Sequence, residues 1–286
     1  MWVVPEHSAA AIVHIPKCAG TSLRRSIETL PGVVVGPKYH DPYLMARRPG
    51  GSSPSDRDPL AYTLEELAEV RRTAAVVMGH IGVRAYLDAG FDSIRILVRE
   101  PRSRLLSLFD QYERMSDRPV EVGKRSDALV EFLESDSTRT QGNNFIYRMV
   151  VAGGVDDDTF DGLTSAGREG ELLEFLIDEM SKALPSLTGA YWDHEVARAH
   201  ADLVRERFPE LEPDGASDFP EVNVAPEFVQ SEILSPAAQE LMEQHTVLSR
   251  AVLETLIDAG LLAPRADEDL RADFEVTAGR HGFIVV

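Results

Sequence analysis

Cysteine is nearly absent from the 286 residues. Cys18 is the single one, which excludes an internal disulfide and any metal site built from several thiolates, and it fits a reducing compartment. Positive charge is also scarce: 29 Lys and Arg face 48 Asp and Glu, a formal net charge of -19. A general polyanion-binding surface is thereby excluded, because nucleic acid or a sulfated glycan would meet net repulsion. Any anionic ligand must be met by a local basic pocket. No stretch approaches the roughly eighteen apolar residues of a membrane span, and the first residues lack the basic-then-apolar layout of a signal peptide. The expectation is a soluble, cytoplasmic protein with no membrane partner. Internal repeats are missing as well. At 43% hydrophobic the chain carries a core of ordinary size, and one decorated domain over 1–286 is expected.

Along the chain, short β-type runs alternate with helical patterns: "AAIVHI", a helix from about Thr21, "GVVVG", "TLEELAEVRR", "AAVVMG", "SIRILV" and "PRSRLLSLFDQYERM". That alternation predicts an α/β fold with an open parallel sheet flanked by crossover helices. Thr63 and Glu66 have capping-box spacing, and Pro101 stands where a first helical residue belongs. The segments 47–59 and 153–171 are rich in Gly, Ser, Pro or Asp and read as loops or lids. A helix near 169–183, a strand at 187–191, a helix from about Asp193, and a long helix capped by Ser235 and running to Gly260 follow. The tail after Pro264 is too polar to place.

The stretch "AAIVHIPKCAGTSLRRSIETL" at 10–30 joins a strand, a tight turn and a helix start. Such a junction forms an anion site, since unpaired backbone N–H groups and the positive end of the helix dipole face one point. Lys17 adds a point charge, Gly20 allows close backbone approach, and Thr21 and Ser22 offer hydroxyls. A nucleoside-triphosphate loop would need its Lys after the second Gly, whereas Lys17 precedes Gly20. A cysteine phosphatase would place a thiolate at the strand end and an Arg six residues on, which Cys18 and Arg24 match in spacing. A binding module that has the cradle without turnover is the non-enzymatic alternative.

The string "HIPKCAGTSL" resembles the 5′-phosphosulfate loop of the sulfotransferases, in the branch containing the 2-O-sulfotransferases and bacterial sulfotransferases. Cys18 and Ala19 stand where Thr and Gly are more usual. Further on, "IRILVREPRSRLLSLFDQY" resembles the family's 3′-phosphate motif, with Arg99 at a strand end and Ser107 eight residues later in the helix. Helical side chains lean toward their own N-terminus, so Ser107 can point back toward Arg99, and Arg102 and Arg104 raise the local positive potential. The resemblance implies a P-loop-like sheet of sulfotransferase type and the cofactor 3′-phosphoadenosine 5′-phosphosulfate (PAPS; product PAP). It assigns Lys17, Cys18, Ala19, Gly20, Thr21 and Ser22 to the 5′-phosphosulfate, Arg99 and Ser107 to the 3′-phosphate, and no metal. The cofactor part covers about 10–115.

Sulfuryl transfer also needs a base for the acceptor hydroxyl. In "AAVVMGHIGVRAYL", His80 follows a strand and a Gly, as the catalytic His does in similar "GH" strings of this branch; Lys17 is the second catalytic candidate. His14, within the first strand, is the runner-up and a pocket-shaping residue, and Glu100 reads as the ion-pair partner of Arg99. "TQGNNFIYRMVVAG" resembles a substrate-side segment, which makes Arg148 the second acceptor-side candidate beside His14. "LPSLTGAYWDHEVARAHADL" matches the family's late strand and helix in layout, without the usual acidic and Arg pair after the strand. Acceptor-side helices and loops over about 116–264 would receive a small-molecule or carrier-bound alcohol.

Overall fold

A computed structural model describes residues 9–35, 61–115, 120–121, 123–135, 142, 144–151, 157–165, 167–211 and 231–286. The loop expected at 47–59 lies outside them.

Five strands form one parallel sheet: β1 (Ala10–His14), β2 (Val33–Val34), β3 (Val76–Gly79), β4 (Ile94–Val98) and β5 (Leu187–Trp192), in the order β2-β3-β1-β4-β5. Helices cover both faces, so β1, β3 and β4 are buried along nearly their whole length and read as apolar runs. Arg95 breaks the run in β4, and its buried guanidinium pairs with Glu206 on the helix Val196–Arg207. β1 is central. The chain passes from it to β2 at the sheet edge, returns through β3 beside β1, and then crosses to β4 on the other side, so the order reverses beside β1, where open α/β sheets bind ligands at the carboxyl ends of their strands. The segments after β1, β3, β4 and β5 all emerge at that edge.

Helix α1 (Gly20–Ile27) follows β1, α2 (Leu64–Thr73) precedes β3, α3 (Val83–Asp88) follows it, and α4 (Pro101–Met115) follows β4. Pro101 opens α4 as expected. Thr63 and Glu66 form their capping box: the Glu66 N–H donates to Thr63 Oγ1 at 3.1 Å and the Thr63 N–H to Glu66 Oε2 at 2.8 Å. A second apolar core lies under α4, where Leu105, Leu106 and Phe109 meet Phe132, Met242, Phe274 and Phe283.

Three expectations need correction. The segment 153–171 contains the helix Asp157–Ser165 and the start of the helix Glu169–Ala183. The long helix begins at the Ser235 cap but splits into Pro236–Gln244 and Val247–Asp258. Asn144, at φ 48, makes that break: its amide Nδ2 donates to the Gln244 carbonyl, and its Oδ1 accepts from the N–H groups of Leu248 and Ser249. One side chain thus ends one helix and caps the next. The tail, thirdly, is ordered: the helix Asp267–Arg280 packs on α4, and the strand Phe283–Ile284 pairs in parallel with Glu232–Ile233.

Candidate functional site

The loop from Ile15 to Ala19 is strained at two places, with Lys17 at φ 71 and Ala19 at φ 55. Such conformations in residues with a Cβ cost of order 1–3 kcal/mol each and gather at ligand sites. Ala19 is the N-cap of α1 and brings no side-chain acceptor; the Ser22 N–H donates to the Ala19 carbonyl at 3.0 Å, and the Gly20 and Thr21 N–H groups start the helix without a side-chain cap. Gly20, which the sequence offers as the point of close approach to a ligand, is approached by His14 instead. A Cβ there would stand 1.8 Å from His14 Cδ2 and 2.1 Å from Nε2.

His14 is held from two sides. Its ring lies 4.3 Å, centroid to centroid, from that of His80, and the Nδ1–H of His80 donates to the His14 carbonyl at 2.6 Å. A carbonyl can only accept, so this bond puts the proton of neutral His80 on Nδ1 and its basic lone pair on Nε2. Burial first, then the charges of His80 and Arg24, lower the pKa of His14 to about 3. His14 is therefore neutral near pH 7 and a weak base, while its main chain orients His80.

Positive charge gathers around the loop. Arg99, at the end of β4, donates from Nη1 to the Lys17 carbonyl at 3.5 Å. Lys17 is held below the usual ammonium value by burial and then by Arg114; Asp110 acts in the opposite direction, and Arg99 and Arg104 lower it further. Arg104 is fully buried with its guanidinium 4.8 Å from the Phe145 ring, and burial lowers its pKa to about 10, so it stays cationic. Among the described residues, the charges of Arg99, Arg104, Arg114 and Asp110 act on Lys17, and those of Arg104, Arg99 and Asp193 on Cys18, so cations gather at this loop within a chain of net charge -19.

Cys18 is fully buried, and burial pushes its thiol up to about 12 against the pull of Arg104 and Arg99. That is the reverse of what a nucleophilic thiolate needs. Arg24 pairs with Glu28 at 3.3 Å on the exposed face of α1, so the phosphatase spacing brings no thiolate and guanidinium together. Thr21 is partly exposed and Ser22 buried in the first turn. Glu100 pairs with Arg102 at 2.9 Å rather than with Arg99, and accepts from the Ser103 N–H at 2.6 Å, capping α4. Arg102 also reaches Glu243, so its charge is compensated away from the loop.

Ser107 lies on the buried face of α4 with Ser103 and Asp110. The partners of Arg99 among the described residues are Lys17, Asp193 and Thr277, and Ser107 is not among them. Arg148 points inward, into packing between helices: its guanidinium stands 4.1 Å from the Phe160 ring centroid. The described contacts do not join it to the loop.

Asp110, Arg114, Asp193, Thr277 and His281 escape a linear reading. Asp110 pairs with Arg114 at 2.6 Å, and His281 Nδ1 lies 3.6 Å from Asp110. A signal for the first two does exist, since Ser103, Ser107, Asp110 and Arg114 recur at helical spacing as a polar stripe beside the apolar Leu105, Leu106, Leu108 and Phe109. The acidic residue after the late strand is Asp193, whose Oδ2 lies 3.2 Å from Arg99 Nε. Among the described residues there is no group of three or more potential metal ligands and no helix long and apolar enough to cross a membrane. No family model, no curated protein and no solved structure matches the chain.

Proposed function

We propose that the protein is a sulfotransferase that moves the sulfuryl group of PAPS to a hydroxyl of a small or carrier-bound acceptor. The observation that carries this reading is the gathering of Lys17, Arg99, Arg104 and Arg114 about the loop after β1, at a helix start with no side-chain cap, which suits a ligand with several negative charges. When bound, PAPS supplies an activated sulfuryl group whose leaving group is a 5′-phosphate. Loop residues Lys17 to Ser22 hold the 5′ end through backbone N–H groups and the Thr21 and Ser22 hydroxyls. Arg99 and Ser107 serve the 3′-phosphate. Lys17 opposes the negative charge that grows on the leaving oxygen, where a fixed cation in a partly buried site is most effective. His80 takes the acceptor proton on Nε2, in the tautomer set by the His14 carbonyl.

Calorimetric binding of PAP, compared with adenosine 5′-phosphate, tests the reading. Loss of the 3′-phosphate is expected to weaken binding at least tenfold, about 1.4 kcal/mol. Equal affinity for the two ligands removes Arg99 and Ser107 from the site, and no binding of either refutes the assignment of the loop.

A further inference from the structure

Arg99 spends all three nitrogens on its own chain. Nε pairs with Asp193 Oδ2 at 3.2 Å, Nη1 donates to the Lys17 carbonyl at 3.5 Å, and Nη2 donates to Thr277 Oγ1 at 3.2 Å. These partners come from three places: the loop after β1, the turn after β5, and the last turn of the C-terminal helix. Thr277 and the Lys17 carbonyl are neutral. Asp193 alone brings a negative charge, and its other oxygen, Oδ1, accepts from the His194 N–H at 3.1 Å, which fixes the carboxylate beside Arg99. A phosphate arriving at Arg99 therefore meets a resident anion at hydrogen-bond distance from its receptor.

We infer that Asp193 is a specificity-determining residue of the proposed PAPS site: its carboxylate is the built-in counter-ion of Arg99 and competes with the ligand's 3′-phosphate for the guanidinium. The inference rests on the sulfotransferase reading. A carboxylate carries one charge, whereas a phosphate monoester carries nearly two near pH 7, so the monoester outcompetes it once the rest of the nucleotide is anchored on the loop. A small anion has no such anchor and does not displace Asp193. The resident pair thus keeps Arg99 from binding free sulfate or phosphate, while Thr277 and the Lys17 carbonyl hold the guanidinium in place during the exchange. Selectivity of this kind comes from a repulsive element as much as from an attractive one.

Asp193→Asn tests the idea, because it removes the charge and keeps an oxygen that can accept from the His194 N–H. Calorimetry with PAP, adenosine 5′-phosphate and inorganic sulfate is the readout. The variant is expected to bind PAP about fivefold or more tightly than the wild type, the scale of one screened charge contact. Adenosine 5′-phosphate, which lacks the 3′-phosphate that competes with Asp193, should stay within about twofold of its wild-type affinity, and this also reports that the loop is intact. Sulfate binding should rise. Unchanged or weaker PAP binding, with adenosine 5′-phosphate retained, overturns the inference and makes Asp193 a residue that positions Arg99. Absence of PAP binding in both wild type and variant overturns the sulfotransferase reading and this inference with it. Asp193→Ser makes the same charge change with a smaller side chain, and serves where the Asn protein does not fold.

Discussion

Replacing Gly20 by Ala would bring a methyl group into the space that the His14 ring fills. The new Cβ would stand 1.8, 2.1 and 2.6 Å from three ring atoms, where ordinary contact begins at 3.4 Å, so the imidazole must move by about 1.6 Å, the difference between 3.4 and 1.8 Å. Little in its surroundings allows this. His14 ends β1 in register with Leu97 of β4, its carbonyl accepts from His80, and its ring lies against the His80 ring. Overpacking of this sort costs about 1–3 kcal/mol, offset by at most about 1 kcal/mol for replacing Gly by Ala in a helix. We expect Gly20→Ala to destabilise the wild type by about 1–2 kcal/mol in urea titrations followed by circular dichroism. In a His14→Ala background the same change should be neutral or stabilising, so the double-mutant cycle should give a coupling near 2 kcal/mol. A coupling below about 0.5 kcal/mol, the level expected of independent sites, would refute the steric account.

The remaining predictions concern His80, Lys17 and acid. His80→Ala should lower turnover by roughly 10²- to 10⁴-fold, the usual contribution of a positioned base, with PAP affinity little changed, whereas Lys17→Ala should cost both affinity and rate; a His80→Ala protein with wild-type turnover at saturating acceptor would remove His80 from the mechanism. The folded pKa values of His14 and His245 are lowered to about 3 and about 4 from 6.5, by burial first in each case. The unfolded chain therefore takes up protons below pH 6.5 that the folded chain refuses, so the stability these groups contribute is complete above pH 6.5 and is lost as pH falls toward 4. Discounting for partial exposure, each site should remove about 1 kcal/mol per pH unit in that window. Urea titrations at pH 7.5 and 5.0 check this, and a His14→Gln protein that shows the full wild-type loss would contradict it.

The strands were readable because parallel strands covered on both faces must be apolar throughout, and the alternation with helices implied their parallel arrangement. Local caps were equally plain: Thr63 with Glu66, Ser235 and Pro101 act within a few residues of themselves. The tail was illegible for the opposite reason. The helix Asp267–Arg280 buries only Phe274, Thr277 and Ala278, and exposes Val276, so its polar sequence carries almost no periodic stripe. The split between Gln244 and Val247 was hidden as well, since the residue responsible, Asn144, lies about one hundred positions earlier.

At the candidate site, sequence by itself determined the loop and its residue types: a Lys, a Gly and two hydroxyl residues between a strand and a helix, and an Arg at the end of a later strand. These are local features, legible because they lie on consecutive residues or at a strand end; the anion site they are proposed to form would likewise be built from consecutive backbone groups. Only tertiary structure decided what each group faces. It turned Gly20 toward His14, buried Cys18 beyond reach of ionisation, tied Glu100 to Arg102, and fixed the His80 tautomer through a carbonyl 66 positions away. It also gave Arg99 its two distant partners, Asp193 and Thr277, because the carboxyl edge of the sheet and the C-terminal helix converge there. Charge partners depend on distance in space, and through space a carboxylate ninety-four positions further along the chain is as close to Arg99 as a sequence neighbour.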